Sequence, residues 1–149
     1  MIADRVVGAG EFGEVYLAKQ KAKMASGQKV LVKRAVKTLK GVADDVSKTL
    51  FMREAMIMVA IGAHRNVVKM VGVAVQQAPW LVVLEFVRYG DLKDIMESLR
   101  KKRISLEPSE MLDICQCIAT GMEHMADRRL IHMVPTLILL YYIVLRVAF

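Results

Sequence analysis

Eight residues near the start of the chain, Gly8-Ala9-Gly10-Glu11-Phe12-Gly13-Glu14-Val15, carry the first chemistry that the sequence offers. Glycines in a G-x-G-x-x-G-x-V spacing let a backbone turn tightly and approach a phosphate with no Cβ in the way. A plain hairpin turn produces the same pattern, and the loop alone does not choose between the two. Its flanks do exclude other phosphate loops. A dinucleotide loop opens a helix, whereas Glu14-Val15-Tyr16-Leu17-Ala18-Lys19 alternates and is rich in β-formers; the Gly-Lys-Ser/Thr ending of a Walker loop is missing. Lys37 follows in Arg34-Ala35-Val36-Lys37. After a hairpin, an amine at this separation can point back under the loop and meet α- and β-phosphates. The plain alternative is a solvated lysine on a strand. Lys33 and Lys40 lie nearby, but only Lys37 stands in a V-A-I-K-like frame, with Arg34 in place of its apolar first residue. Glu54 shares a helix face with Phe51, Ala55 and Met58, where a carboxylate needs a cation. Lys37 could supply it and be held in register for phosphate; so could Arg53 or Arg65 at the helix edge.

The elements that must position these groups follow from periodicity. Ile2–Gly10, Glu14–Lys21 and Lys29–Leu39 read as strands, with Ala25-Ser26-Gly27-Gln28 as a turn. A helix is expected over Asp44–Val59, and the apolar runs Val67–Val73 and Trp80–Val87 complete a five-stranded sheet. Gly90-Asp91-Leu92 starts a second helix with Asp91 as its N-cap, and Glu107-Pro108-Ser109-Glu110 opens a third that runs to Arg128. Met111, Ile114, Cys115, Ile118, Met122 and Met125 make one apolar stripe along it, which is core rather than a cofactor box. His124 reads as a surface or satisfied-core histidine with no metal-ligand partner four residues on.

At 149 residues and 55% hydrophobic, the chain is about one domain with an uneven apolar excess. Its net charge of +7 is scattered apart from Arg100-Lys101-Lys102-Arg103, which suits a solvated helix end. No basic stripe interleaved with aromatics is present, which disfavours nucleic-acid binding. Cys115 and Cys117 would face apart on a helix, neither pairing nor sharing a metal, and point to a reducing, cytosolic compartment. The N-terminus lacks signal-peptide character. Only Pro135, Thr136 and Arg146 interrupt the apolar residues from Met133 to Phe149. The uninterrupted run Leu137–Leu145 falls short of the roughly 20 residues of a membrane span.

Taken in order, these phrases resemble the protein kinase family, and within it the tyrosine kinases. The resemblance is carried by Gly8–Val15, Ala35-Val36-Lys37, Phe51-Met52-Arg53-Glu54-Ala55 and His64-Arg65-Asn66-Val67-Val68. It continues through Leu84-Glu85-Phe86-Val87, Gly90-Asp91-Leu92 and Ile118-Ala119-Thr120-Gly121-Met122-Glu123. It implies an α+β fold: a kinase N-lobe over 1–87, with a five-stranded antiparallel sheet and one helix, then a partial C-lobe of two helices over 88–132. Residues 133–149 form an unrelated tail. The resemblance also implies that the Gly8–Val15 loop covers ATP, that Val15 and Ala35 sandwich the adenine, and that Lys37 pairs with Glu54. The backbone of Glu85–Val87 would read the adenine edge, with Leu84 as gatekeeper. At His132 the match stops. Met133-Val134-Pro135 stands where His-Arg-Asp would continue, so the catalytic aspartate and the family's Mg²⁺ ligands are not found. The expectation is residual ATP binding without phosphoryl transfer, in a cytoplasmic setting or the cytoplasmic part of a receptor. The alternative is a non-catalytic interaction module, a decoy that meets the partners of a full-length kinase or a chaperone.

Overall fold

The computed structural model describes residues 2–10, 13–39, 44–90 and 92–130. The expected Asp91 cap, loop residues Glu11 and Phe12, and the tail 133–149 lie outside the described residues. The chain divides into two compact units, Met1–Val59 with Lys69–Phe86, and Ala60–Val68 with the chain from Val87 onward.

Alternating, β-branched sequence builds the first unit. Strands β1 (Ile2–Gly10), β2 (Gly13–Lys23), β3 (Lys29–Leu39), β4 (Met70–Ala74) and β5 (Leu81–Glu85) form one antiparallel sheet in the order β1-β2-β3-β5-β4. The β2–β3 turn is closed by Met24 N–H donating to the Gln28 carbonyl and Gly27 N–H to the Met24 carbonyl, each at 2.8 Å. Gly27 there takes φ +83°, a left-handed conformation that favours glycine. This turn sets an unbroken register from Lys23↔Lys29 to Gly13↔Leu39. Ala18, Val36 and Val83 make a buried cluster on one face of the sheet, with Leu81 packed against it.

Helix α1 (Asp45–Ile61) begins one residue later than expected because Asp44 is its cap: the Asp44 carboxylate accepts from Ser47 N–H at 2.7 Å. Phe51, Ala55 and Met58 are buried along it, as their spacing predicts. Phe51 meets Trp80 at 6.5 Å between ring centroids. α1 runs on past Val59 to Ile61, and Gly62 follows it at φ +72°. Two strands are shorter than their apolar runs. Val67 and Val68 are buried, yet they follow a tight turn in which Val67 N–H donates to the His64 carbonyl, and β4 starts only at Met70.

The second unit holds α2 (Leu92–Lys102) and α3 (Pro108–Asp127). Pro108 opens α3, and the Glu110 carboxylate accepts from Glu107 N–H at 2.7 Å. The expected apolar stripe is core only at Ile114 and Met125; Met111, Cys115 and Met122 are exposed. Among the described residues no helix is long and apolar enough to cross a membrane.

Candidate functional site

Register aligns the residues that could do chemistry. Gly8 lies opposite Val15, Val15 opposite Lys37 and Lys37 opposite Val82, so one rung runs from the glycine strand to the centre of the sheet. Directly opposed residues face the same way, and so do residues two apart on a strand. Val15, Ala35, Lys37 and Leu84 therefore share one face, with Ala35 opposite Leu84. On that face Lys37 Nζ reaches both oxygens of Glu54, at 2.8 and 2.6 Å. The two side chains are only 12% and 18% exposed. Of the cations that the sequence offered Glu54, it is Lys37 that makes this two-oxygen contact.

Removing two charges from water costs several kcal/mol each, and only close, multiply bonded geometry offsets it. The site meets that requirement by drawing one partner from β3 and the other from α1. It leaves an ammonium group fixed in line with Gly8 and Val15, where an anion above the sheet would find it.

The glycines have separate roles. Gly8, Ala9 and Gly10 pair with Val15, Glu14 and Gly13 in the β1–β2 ladder. Gly13 is buried against β3: a Cβ there would stand 1.7 Å from the Thr38 carbonyl oxygen. That distance admits only glycine. Beside it the Thr38 hydroxyl donates to the Glu14 carbonyl at 3.2 Å, and the Tyr16 hydroxyl donates to the Glu14 carboxylate at 2.5 Å. Accepting that hydrogen bond, the carboxylate holds the Tyr16 hydroxyl above its ordinary pKa of 10.0.

Leu84 is buried, and Val15 and Ala35 are half-buried. Glu85 is tied at both ends: its N–H donates to the Lys69 carbonyl and its carboxylate accepts from Lys69 N–H, each at 2.9 Å. Val87 is half-buried and belongs to the second unit. Among the described residues no group of three or more His, Cys, Asp or Glu side chains is placed to hold a metal ion.

Sequence reasoning missed one cluster. His64 and His124 stack at 4.3 Å between ring centroids, and Arg128 contacts the His124 ring. The His124–Arg128 spacing was readable as neighbours on one helix face, but nothing local to either histidine announces the other.

A sequence profile described as protein tyrosine and serine/threonine kinase matches residues 1–134. Inactive tyrosine-protein kinase 7 of Gallus gallus is 35% identical over 132 residues, covering 85% of this chain and 12% of that protein. The BDNF/NT-3 growth factors receptor of the same species is 33% identical over 141 residues, covering 89% of this chain and 17% of the receptor. The tyrosine-protein kinase transforming protein ros of UR2 avian sarcoma virus is 34% identical over 131 residues, covering 86% and 32%. The chain thus spans at most about a third of the length of these relatives. With residues 1–134 of its 149 matched by that profile, the chain belongs to the protein tyrosine and serine/threonine kinase family.

Proposed function

We propose that the first unit binds ATP. The Gly8–Gly13 backbone covers the phosphates, Lys37 meets them as a cation, and Glu54 holds that cation in place. Val15 and Ala35 flank the adenine, Leu84 backs it, and the backbone at Glu85 reads its edge. One observation carries the reading: the two-oxygen contact between Lys37 and Glu54, in register with Gly8 and Val15.

In the family, ATP supplies a γ-phosphoryl group, and Mg²⁺ neutralises its charge. Transfer to a protein tyrosine is the activity we assign to whole kinases of this kind. For this chain we propose binding without transfer, because Met133-Val134 follow His132 where the resemblance implies Arg-Asp. A general base alone is worth about 10²–10⁴-fold in rate.

Thermal melting with and without ATP tests the pocket. At a concentration ten times Kd, ATP should add about 1.4 kcal/mol and raise Tm by a few degrees. Lys37→Ala should remove that shift. No shift in the unsubstituted protein would overturn the reading. A second reading, a non-catalytic interaction module, is favoured by the similarity to a relative named as inactive. It would be supported by capture of a protein partner of a related kinase that persists in Lys37→Ala and ignores ATP.

A further inference from the structure

The last residue of α1 is held by α3. His124 Nε2 lies 3.0 Å from the Ile61 carbonyl oxygen, which can only accept, so Nε2 donates. Nδ1 of the same ring lies 3.1 Å from an Arg128 guanidinium nitrogen, which can only donate, so Nδ1 accepts. Together the two contacts fix one neutral tautomer, with the proton on Nε2. His64 lies flat against this ring, the planes 22° apart, and its own Nδ1 accepts from Asn66 N–H at 3.2 Å. It too is neutral, with its proton on Nε2.

Adding a proton at either ring leaves its Nε2–H in place but sets a second N–H against the donor that its Nδ1 had accepted, so the ring must shift. The new proton must go to Nδ1, against the Arg128 donor in one case and the Asn66 N–H in the other. An imidazolium would also face a second basic ring at stacking distance. The groups that act on His64 are His124 and Arg128 from α3 and Arg65 from its own loop, all of them basic. Burial first, and then these neighbours, hold the His64 ring below its ordinary pKa of 6.5. Arg128 also lies over Gly62, the residue that ends α1, with its nitrogens 4.0 Å from where a Cβ would be.

We propose that His124, stacked on His64 and oriented by Arg128, is a positioning residue for the Lys37–Glu54 pair, pinning the C-terminal end of α1 only while both imidazoles are neutral. The link is α1 itself, which carries both Glu54 and Ile61 about two turns apart. A helix with a free end frays from that end, and Glu54 lies near enough to lose its fixed position over Lys37. The effect on ATP rests on the nucleotide reading above; the pinning does not.

The whole chain is used for the test. Imidazole ¹⁵N spectra should show both histidines as Nε2–H tautomers, with His64 titrating below the ordinary histidine value. Amide protection factors at residues 59–62, corrected for intrinsic exchange, should fall about tenfold or more between roughly pH 7.5 and 5, an interval that brackets that value. His124→Gln keeps a donor for Ile61 without a titrating ring, and its protection should stay high and flat. His124→Phe keeps the stack without the donor, and its protection should be low throughout. Nδ1–H tautomers, or a flat profile in the unsubstituted protein, would overturn the proposal even where ATP still raises Tm. Absence of any ATP effect alongside the predicted profile would overturn only the nucleotide pocket. Should His124→Phe fail to fold, the spectra and the His124→Gln profile decide alone.

Discussion

At the scale of single residues, the Lys37–Glu54 contact sets the sharpest expectations. Removing one partner of a buried pair leaves an uncompensated charge, so Glu54→Gln should destabilise the protein by about 3 kcal/mol in urea unfolding. The paired replacement Lys37→Met with Glu54→Leu should recover most of that loss, since the desolvation cost disappears with both charges. Asp44 acts more locally. Its carboxylate is held below the ordinary 3.8 by hydrogen bonds from Ser47. A carboxylate with a lowered folded pKa stabilises above its unfolded value and loses that contribution as pH falls through the lowered one. Asp44→Ala should therefore lower stability at neutral pH, and by progressively less as pH falls through the acid range, read as the difference in urea midpoints. The need of Glu54 for a cation was legible in the sequence, because it stood as an anion among apolar neighbours; the cap was not, since Asp44 reads as the first helical residue there and caps the helix from one position outside it. His64 and His124 gave no such demand. A neutral histidine is as much at home on a surface as in a stack, so their meeting is visible only in three dimensions.

At the scale of elements, close approach of backbones matters more than side-chain packing along β2 and β3. Gly13→Ala would drive a methyl group into the Thr38 carbonyl, so the two strands must part where the glycine ladder meets the sheet. A loss of about 3 kcal/mol is expected, with the melting temperature as the measure. Alanine at Gly8 meets only the Val15 side chain at 3.8 Å and should fold nearly normally. Sequence alone could not tell these two glycines apart, since both sit in the same motif and their difference lies in the neighbouring strand. Strand ends were also beyond its reach. Apolar runs report burial, and Val67 and Val68 are indeed buried, but they are held by the turn at His64 rather than by a ladder. The long β2–β3 hairpin was readable because turn chemistry and alternation agreed there.

At the scale of the whole molecule, large apolar side chains stand exposed among the described residues. Leu112 on α3 is 69% exposed, and Val46, Met56 and Val59 on α1 are each more than 60% exposed. Such surface drives association unless something covers it. The 149-residue chain expressed by itself should show concentration-dependent self-association in sedimentation velocity; a monodisperse monomer at high concentration would contradict this. Among the described residues the order of strands and helices was legible, because periodicity predicted each of them, although Val67 and Val68 fell in a turn before their strand. The division into units was not, because Ala60–Val68 groups with residues far along the chain. That grouping has a practical outcome. The polypeptide passes from one unit to the other three times, after Val59, after Val68 and after Phe86, so the two are stitched together rather than strung in series. A single nick after Phe86 keeps the whole first unit on one fragment but splits the second. A fragment stopped at Phe86 would keep Ile61, Asn66, Val67 and Val68 while discarding everything that they group with, and would carry those residues as a frayed, sticky seam.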